Sequence, residues 1–362
     1  MDEPAKAHKN LEEFIFKRYF FTKFWHHDPM QSLTSRSNSS PSISLVIPAF
    51  NEAHHLSTLV GQILSVLDHE VSHLEIIIIN DGSTDHTPAV LQNLCSTDSR
   101  IVALHLSRNF GKESALSAGL EAAKGDVVVQ MDADGQHPIP LILTMIEHWR
   151  QGYDVVYAVR RTRADQSHLQ IKLTSLFYTL INWGNRVKIP ADAGDFRLMS
   201  RPVVDSLNAL PERNRFMKGL YAWVGYPSIA LDYTPLNRAQ GDSKFGFSGS
   251  LALAVTGIVA FSVAPLRLLS IVGFLLSLAA LCYGSWVIAE YFLYGIDVPG
   301  YATIVVGLMF FSGIQMLSIG VLAEYVGRIY EEVKQRPKYL VAKRLGTGLI
   351  HKEPIQTSGD HS

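Results

Sequence analysis

Three acidic residues stand where short apolar runs give way to polar turns, and they set the chemistry this chain can do. Asp81 follows residues 75–80 (EIIIIN) within NDGSTD, and Asp132 and Asp134 follow residues 126–131 (DVVVQM) within MDADGQHP. Residues two apart in an extended segment point to the same side, so the Asp132 and Asp134 carboxylates are expected to converge, with Gln136 continuing the alternation. Hard oxygen donors of this kind suit Mg²⁺ or Mn²⁺, which keep several waters and take diphosphate oxygens as further ligands. Such a cation neutralises charge as a nucleotide diphosphate departs. A lone D-x-D also occurs at ordinary turns; its weight here comes from its place at a strand end, behind further motifs at other strand ends.

The elements that must hold these residues can be read from the same stretch. Residues 42–48 (SISLVIP), 75–80, 101–104 (IVAL) and 126–131 are short β-branched runs, separated by helix-length segments such as 52–67 and 112–124. This alternation predicts an α/β fold with a mostly parallel sheet covered by helices on both faces. In such sheets ligands bind beyond the carboxyl ends of the strands, where the three carboxylates lie. No internal repeat is visible. After about residue 160 the pattern loosens and a cationic stretch appears, with Arg160, Arg161, Arg163, Lys172, Arg186 and Lys188.

Hydrophobicity is concentrated late in the chain. Residues 268–289 and 301–323 contain no charged side chain, runs of 22 and 23 residues. A bilayer core takes about 20 apolar residues in a helix, so each run is long enough to span. Residues 291–300 between them carry no Lys or Arg, whereas Arg267 precedes the pair and Arg328, Lys334, Arg336 and Lys338 follow it. The positive-inside bias then puts both ends, and everything before Arg267, in the cytoplasm. Residues 251–265 are apolar but too short to span before Pro265, and read as a helix lying at the membrane surface.

These features divide the chain into an N-terminal extension and linker (1–42), a catalytic domain (43–245), a juxtamembrane interfacial helix (246–266), a transmembrane hairpin (267–327) and an amphipathic, helical cytoplasmic tail (328–362). Residues 11–25 have the aromatic and basic composition of an interfacial helix, which could equally pack on the globular domain, and no cleavable leader is expected. A net charge of −1 argues against a nucleic-acid binder with a broadly cationic surface. Two cysteines, Cys95 and Cys282, make a disulfide framework or cysteine metal site improbable and point to a reducing compartment.

Six ordered motifs carry a resemblance: residues 47–52 (IPAFNE), 80–85 (NDGSTD), 108–112 (RNFGK), 131–138 (MDADGQHP), 194–198 (GDFRL) and 241–244 (GDSK). Together with the hairpin, over residues 43–335, they resemble glycosyltransferase family 2. The narrower likeness is to polyprenyl-phosphate sugar transferases, the group containing dolichol-phosphate mannose synthase and bacterial undecaprenyl-phosphate glucosyl transferases. The resemblance implies a GT-A fold, an inverting mechanism and a divalent cation, Mg²⁺ or Mn²⁺, held by Asp132, Asp134 and Gln136. It implies that Pro48, Phe50, Glu52, Ile79, Asp81, Asp132 and Ala133 border the nucleotide. Arg160, Arg197, Arg238 and Lys244 would contact donor or acceptor phosphates, joined on a looser alignment by Lys172 and Ser175.

Plainer roles stay open for the same residues. Pro48 and Phe50 could simply turn and pack the chain, and Arg197 and Arg238 could be ordinary surface cations. In GDFRL, Asp195 occupies the place where inverting relatives often put the catalytic carboxylate, with Asp192 as its competitor. A phosphate acceptor has a second pKa of about 6 and needs little help to ionise, so Asp195 is expected mainly to orient the acceptor and to remove any residual proton.

The Q-x-x-R-W motif of processive synthases is absent, and two helices cannot enclose a pore, so one sugar per turnover is expected. By analogy the donor is UDP-glucose, with UDP-N-acetylglucosamine, UDP-galactose and GDP-mannose open. The implied partners are a nucleotide-sugar, polyprenyl phosphate and the lipid bilayer of the inner (plasma) membrane, with no nucleic acid and a possible homo-oligomer. The rival readings are a membrane-anchored nucleotide-binding scaffold without activity, and a transferase to another lipid acceptor.

Overall fold

A computed structural model describes residues 36, 40–68, 70–160, 179, 182, 189–190, 193–213, 215–235, 264–294 and 300–349. Eight strands form one sheet: β1 (Ser42–Ala49), β2 (His73–Asn80), β3 (Ile101–Leu106), β4 (Val127–Gln130), β5 (Val155–Arg160), β6 (Ala193–Ser200), β7 (Ser228–Tyr233) and β8 (Val341–Leu345), in the order β7-β5-β6-β4-β1-β2-β3-β8. The β4-β1-β2-β3 block is parallel throughout. β6 runs antiparallel to both β4 and β5, and β8 antiparallel to β3. The helices of the globular part are α1 (Ala53–Leu67), α2 (Thr87–Thr97), α3 (Lys112–Ala122), α4 (Leu141–Arg150), α5 (Arg201–Ala209) and α6 (Met217–Trp223).

Period-two alternation sends each strand's side chains to two separate cores. Ile76 and Ile78 of β2 pack with Leu56 and Ile63 of α1 and Ile142 of α4, while Ile77 and Ile79 face Leu116 of α3, Val203 of α5 and Leu220 of α6. All four isoleucines are at most 1 % exposed, and burying such a side chain fully contributes about 2 kcal/mol. The near-continuous apolar runs are therefore central strands covered on both faces, as their composition predicts. α3 lies especially close to the sheet: a Cβ on Gly119 would come within 2.3 Å of Val46 and 2.7 Å of Ile79.

Two long helices follow, α7 (Ala264–Tyr294) and α8 (Tyr301–Val333). Their segments Leu268–Trp286 and Val306–Val333 are long and apolar enough to cross a membrane. Large side chains such as Phe274, Leu281 and Phe310 lie exposed on them, an amount of apolar surface that a water-soluble fold does not leave uncovered.

The helix expected from Glu324 continues only to Val333, and the rest of the tail departs from it. α8 ends near Gln335, whose φ of 53° is left-handed, and the chain then folds back onto the catalytic domain. β8 pairs with β3, Leu345 opposite Ala103 and Lys343 opposite His105, covering what would otherwise be an open sheet edge. Beside it the Tyr339 hydroxyl donates to Glu121 at 2.6 Å and the Leu349 N–H to the buried Glu75 at 3.0 Å. The eight-stranded sheet thus includes a strand from beyond the hairpin. The helix expected in residues 11–25 and residues 246–263 of the one expected over 246–266 lie outside the described residues, as do Lys172, Ser175, Asp192, Arg238 and Lys244, while residues 264–266 open α7.

Candidate active site

Strand direction decides which side chains can meet. β1, β2, β3 and β4 are parallel, so the polar turns after them collect along one edge of the sheet. β6 enters that edge from the opposite direction, with Arg197 paired to Gln130 of β4. Two residues beyond that last pair lie Asp132, in the turn after β4, and Asp195, in β6. The α3 N-terminus, just after β3, supplies Lys112 to the same place.

The three charged groups meet directly. The Lys112 ammonium lies 2.6 Å from Asp132 Oδ1 and 2.7 Å from Asp195 Oδ2, forming a bridge between the two carboxylates. The side chains retain 36 %, 30 % and 22 % exposure, so the bridge is open on one side to solvent. Burial alone would push the Asp195 carboxyl up, but Lys112, Lys218 and Arg197 outweigh it and hold it well below the usual carboxylate range. The Lys112 ammonium is correspondingly held charged: burial works against the proton, and Asp195 and Asp132 more than compensate. Neighbouring Glu113 shows the opposite balance. Its burial, reinforced by the Asp195 charge, pushes it up to about 7.

The loop carrying Lys112 is fixed by Asp81. This carboxylate, 4 % exposed, accepts the Phe110 N–H at 2.7 Å and the Gly111 N–H at 2.9 Å, tying the end of β2 to the turn that opens α3. Gly82, at φ 68°, lets the two turns touch, since a Cβ there would come within 2.4 Å of the Asn109 nitrogen. The turn after β1 is laced to the same loop: the Asn51 N–H donates to Ser83 Oγ at 2.9 Å and the Thr84 N–H to Asn51 Oδ1 at 2.8 Å.

Among the residues expected to border a nucleotide, Pro48 is half-buried in β1, Phe50 is 37 % exposed, and the Glu52 N–H donates to Thr87 Oγ1 at 3.0 Å. Ala133 is buried in the turn after β4. Ile79 is fully buried and its side chain packs on α3, so that side chain belongs to the core and only its backbone borders the edge. Arg197 is likewise interior, at 2 % exposure. Its guanidinium lies 3.5 Å from the centroid of the Tyr221 ring and donates to Gly194 O at 2.7 Å. In this arrangement it is a charge beneath Asp195 rather than a surface contact for phosphate. Arg160, at the end of β5, is exposed and donates to Gln136 Oε1 at 3.1 Å.

Asp134 does not lie in an extended segment. It sits in a turn closed by Gly135 at φ 71°, and its Oδ1 accepts the Gln136 N–H at 3.1 Å. What gathers this motif is the turn, with His137 behind it feeling the charges of both Asp132 and Asp134. Burial pushes the His137 imidazole down, and the ring stacks on Phe196 with centroids 4.7 Å apart. Asp132, Asp134 and Gln136 carry hard oxygen donors of the kind Mg²⁺ and Mn²⁺ take. Among the described residues no group of three or more His, Cys, Asp and Glu is placed to hold a metal ion, so these side chains would need water or diphosphate oxygens to complete a coordination shell.

Sequence reasoning missed four contributors: Lys112 as a bridge, Glu113, His137 and Tyr221, whose hydroxyl donates to the buried Gln130 amide. Lys112 and His137 lay inside quoted motifs, and that was the only available signal.

A mostly parallel sheet with an acidic turn after β4, facing a carboxylate on an antiparallel β6, is a GT-A-like arrangement, the class of nucleotide-sugar transferases. Residues 44–207 match the family described as glycosyl transferase family 2, and residues 264–329 match the GtrB C-terminal hairpin. The uncharacterized glycosyltransferase sll0501 of Synechocystis is 44 % identical over 313 residues, covering 86 % of this chain and 98 % of that one. The SfII prophage-derived bactoprenol glucosyl transferase of Shigella flexneri is 42 % identical over 83 % of this chain and 97 % of its own. The prophage bactoprenol glucosyl transferase homolog of Escherichia coli K12 is also 42 % identical, over 83 % and 98 %. The chain belongs to glycosyltransferase family 2 and is a glycosyltransferase.

Proposed function

We propose that this protein transfers one sugar, glucose from UDP-glucose, to a polyprenyl phosphate at the cytoplasmic face of the membrane, with inversion at the anomeric carbon. The observation that carries the reading is the gathering of Asp132, Lys112 and Asp195 at one sheet edge in a chain that continues into two membrane-length helices. The names of the Shigella and Escherichia relatives support a glucosyl group and a bactoprenol, that is polyprenyl, acceptor.

Inversion requires one in-line displacement, in which an acceptor phosphate oxygen forms the new bond to the anomeric carbon as the nucleoside diphosphate leaves. Asp132, Asp134 and Gln136 would hold Mg²⁺ or Mn²⁺, which supplies charge neutralisation for the leaving diphosphate. Arg160 stands at the same edge for a charge-assisted bond to a phosphate oxygen. Asp195, held ionised, fixes the cations around the acceptor rather than meeting its phosphate directly, since two anions would repel. The apolar helices keep the acceptor's chain in the bilayer while its headgroup reaches the site, and confinement to a surface raises the effective concentration of the pair.

A donor panel decides the reading. Detergent-purified enzyme is given UDP-glucose, UDP-N-acetylglucosamine, UDP-galactose or GDP-mannose, with undecaprenyl phosphate or diacylglycerol, and with Mn²⁺ or a chelator. Mass analysis of the lipid should show a hexosyl phosphate product from UDP-glucose, dependent on cation. A glycosylated diacylglycerol, or nucleotide binding without any lipid product, would replace this function with one of the rival readings.

A further inference from the structure

We infer that Lys112 is a positioning residue for the transfer, an ammonium that competes with the divalent cation for Asp132 while keeping Asp195 in place. The inference rests on the reading that Asp132 and Asp134 hold the metal. Its basis is the bridge itself: one ammonium contacts both carboxylates, at 2.6 and 2.7 Å.

The base of Lys112 is anchored. Gly111 and Phe110 are held by the buried Asp81 carboxylate, and α3 is held against β1 and β2 at Gly119. From that base the four-carbon side chain reaches both acids. With Lys112 on it, Asp132 Oδ1 is already compensated, so an incoming cation must displace an ammonium rather than meet a free carboxylate. Once released from Asp132, the ammonium still has Asp195 as partner and is aimed into the edge where a diphosphate is to bind.

An ordinary stabilising ion pair is the competing explanation, and it makes a different prediction. Partly exposed pairs contribute about 0–1 kcal/mol, and removing one disturbs the fold little. It gives no reason for metal affinity to rise. Competition does, because taking away a positive charge beside Asp132 leaves that carboxylate free for the cation.

The test measures Mn²⁺ binding alone, by the electron-paramagnetic-resonance signal of free Mn²⁺, on full-length enzyme without substrates. Lys112→Met should bind Mn²⁺ about tenfold more tightly than the parent, a change of about 1.4 kcal/mol, while kcat falls. Lys112→Arg restores the charge and should return Mn²⁺ affinity close to the parent with part of the turnover. Equal or weaker Mn²⁺ binding by Lys112→Met, in protein whose melting temperature matches the parent, overturns the inference. Asp134→Asn separates the two levels. If it binds Mn²⁺ as well as the parent, the metal reading fails and the competition fails with it; if it loses Mn²⁺ while Lys112→Met is unchanged, only the role of Lys112 is wrong.

Discussion

Glu332, one residue before the end of α8, accepts the Arg213 backbone N–H with both carboxylate oxygens, at 2.9 and 3.2 Å. The Arg213 guanidinium in turn donates to Arg336 O at 2.7 Å, so the exit of the apolar hairpin grips the loop before α6. Four residues on, the Met217 N–H donates to Glu113 at 3.2 Å, beside Lys112. A short chain of polar contacts therefore links the end of the second apolar helix to the site. Glu332→Ala leaves the Arg213 N–H without this acceptor and should lower stability by about 1 kcal/mol. Thermal unfolding in detergent reads this directly, and an unchanged melting temperature with unchanged turnover would show the latch to be idle.

The charge asymmetry around the two apolar helices predicts a sidedness. In a background of Cys95→Ala and Cys282→Ala, Gly300→Cys between the helices should react with an impermeant maleimide on intact cells. Glu331→Cys, exposed near the end of α8, should react only after permeabilisation. Labelling of both from the same side would mean that the helices do not cross.

Much of this architecture was legible in the sequence because its central strands announce themselves. Residues 75–80 and 126–131 are short and rich in β-branched side chains, which favours buried strands, and the acids after them fall at the carboxyl edge. β8 was not legible, because YLVAKRL becomes a strand only by pairing with β3 more than 200 residues earlier. The Asp132–Lys112–Asp195 bridge has the same origin: it requires β6 to run against β4, and GDFRL carries no local mark of its direction. The interior placement of Arg197 follows from the same strand, whose alternation points it at Tyr221. Asp134 was placed on the right edge for the wrong reason, since a turn at Gly135 holds it and not an extended strand.

Glu113 gives the protein a pH-dependent weakness. Its folded-state carboxyl, at about 7, lies above the ordinary value of 4.5, so the folded protein binds this proton more tightly than the unfolded chain does. The sign follows: stability is lost as pH rises from about 4.5 through 7 and the buried group ionises. Glu113→Gln keeps an acceptor for the Met217 N–H and removes the titration. The variant should match its parent near about pH 4 and exceed it by about 2 kcal/mol near about pH 8, discounted for a site that borders solvent. Melting curves across that range check it; a constant offset would place the effect elsewhere.

Asp195 can be tested through the shape of its pH profile. The acceptor's second pKa of about 6 implies residual proton removal, and with it a deficit in Asp195→Asn that grows below about pH 6, where the acceptor phosphate is mostly monoanionic. Lys112 changes that expectation. A carboxylate held well below its usual range is a poor proton acceptor, and it does not titrate anywhere near the working pH. Its contribution is then charge and orientation, through the Lys112 ammonium at 2.7 Å. Parent and Asp195→Asn should both lose rate as pH falls through about 6, since the acceptor itself is titrating. The gap between them should stay near about 10²-fold from acidic to alkaline pH, the scale on which a misplaced group slows a reaction. Turnover measured at saturating donor and acceptor over that range decides the matter. A gap that widens towards low pH would restore the base, and full activity at every pH would take Asp195 out of the site.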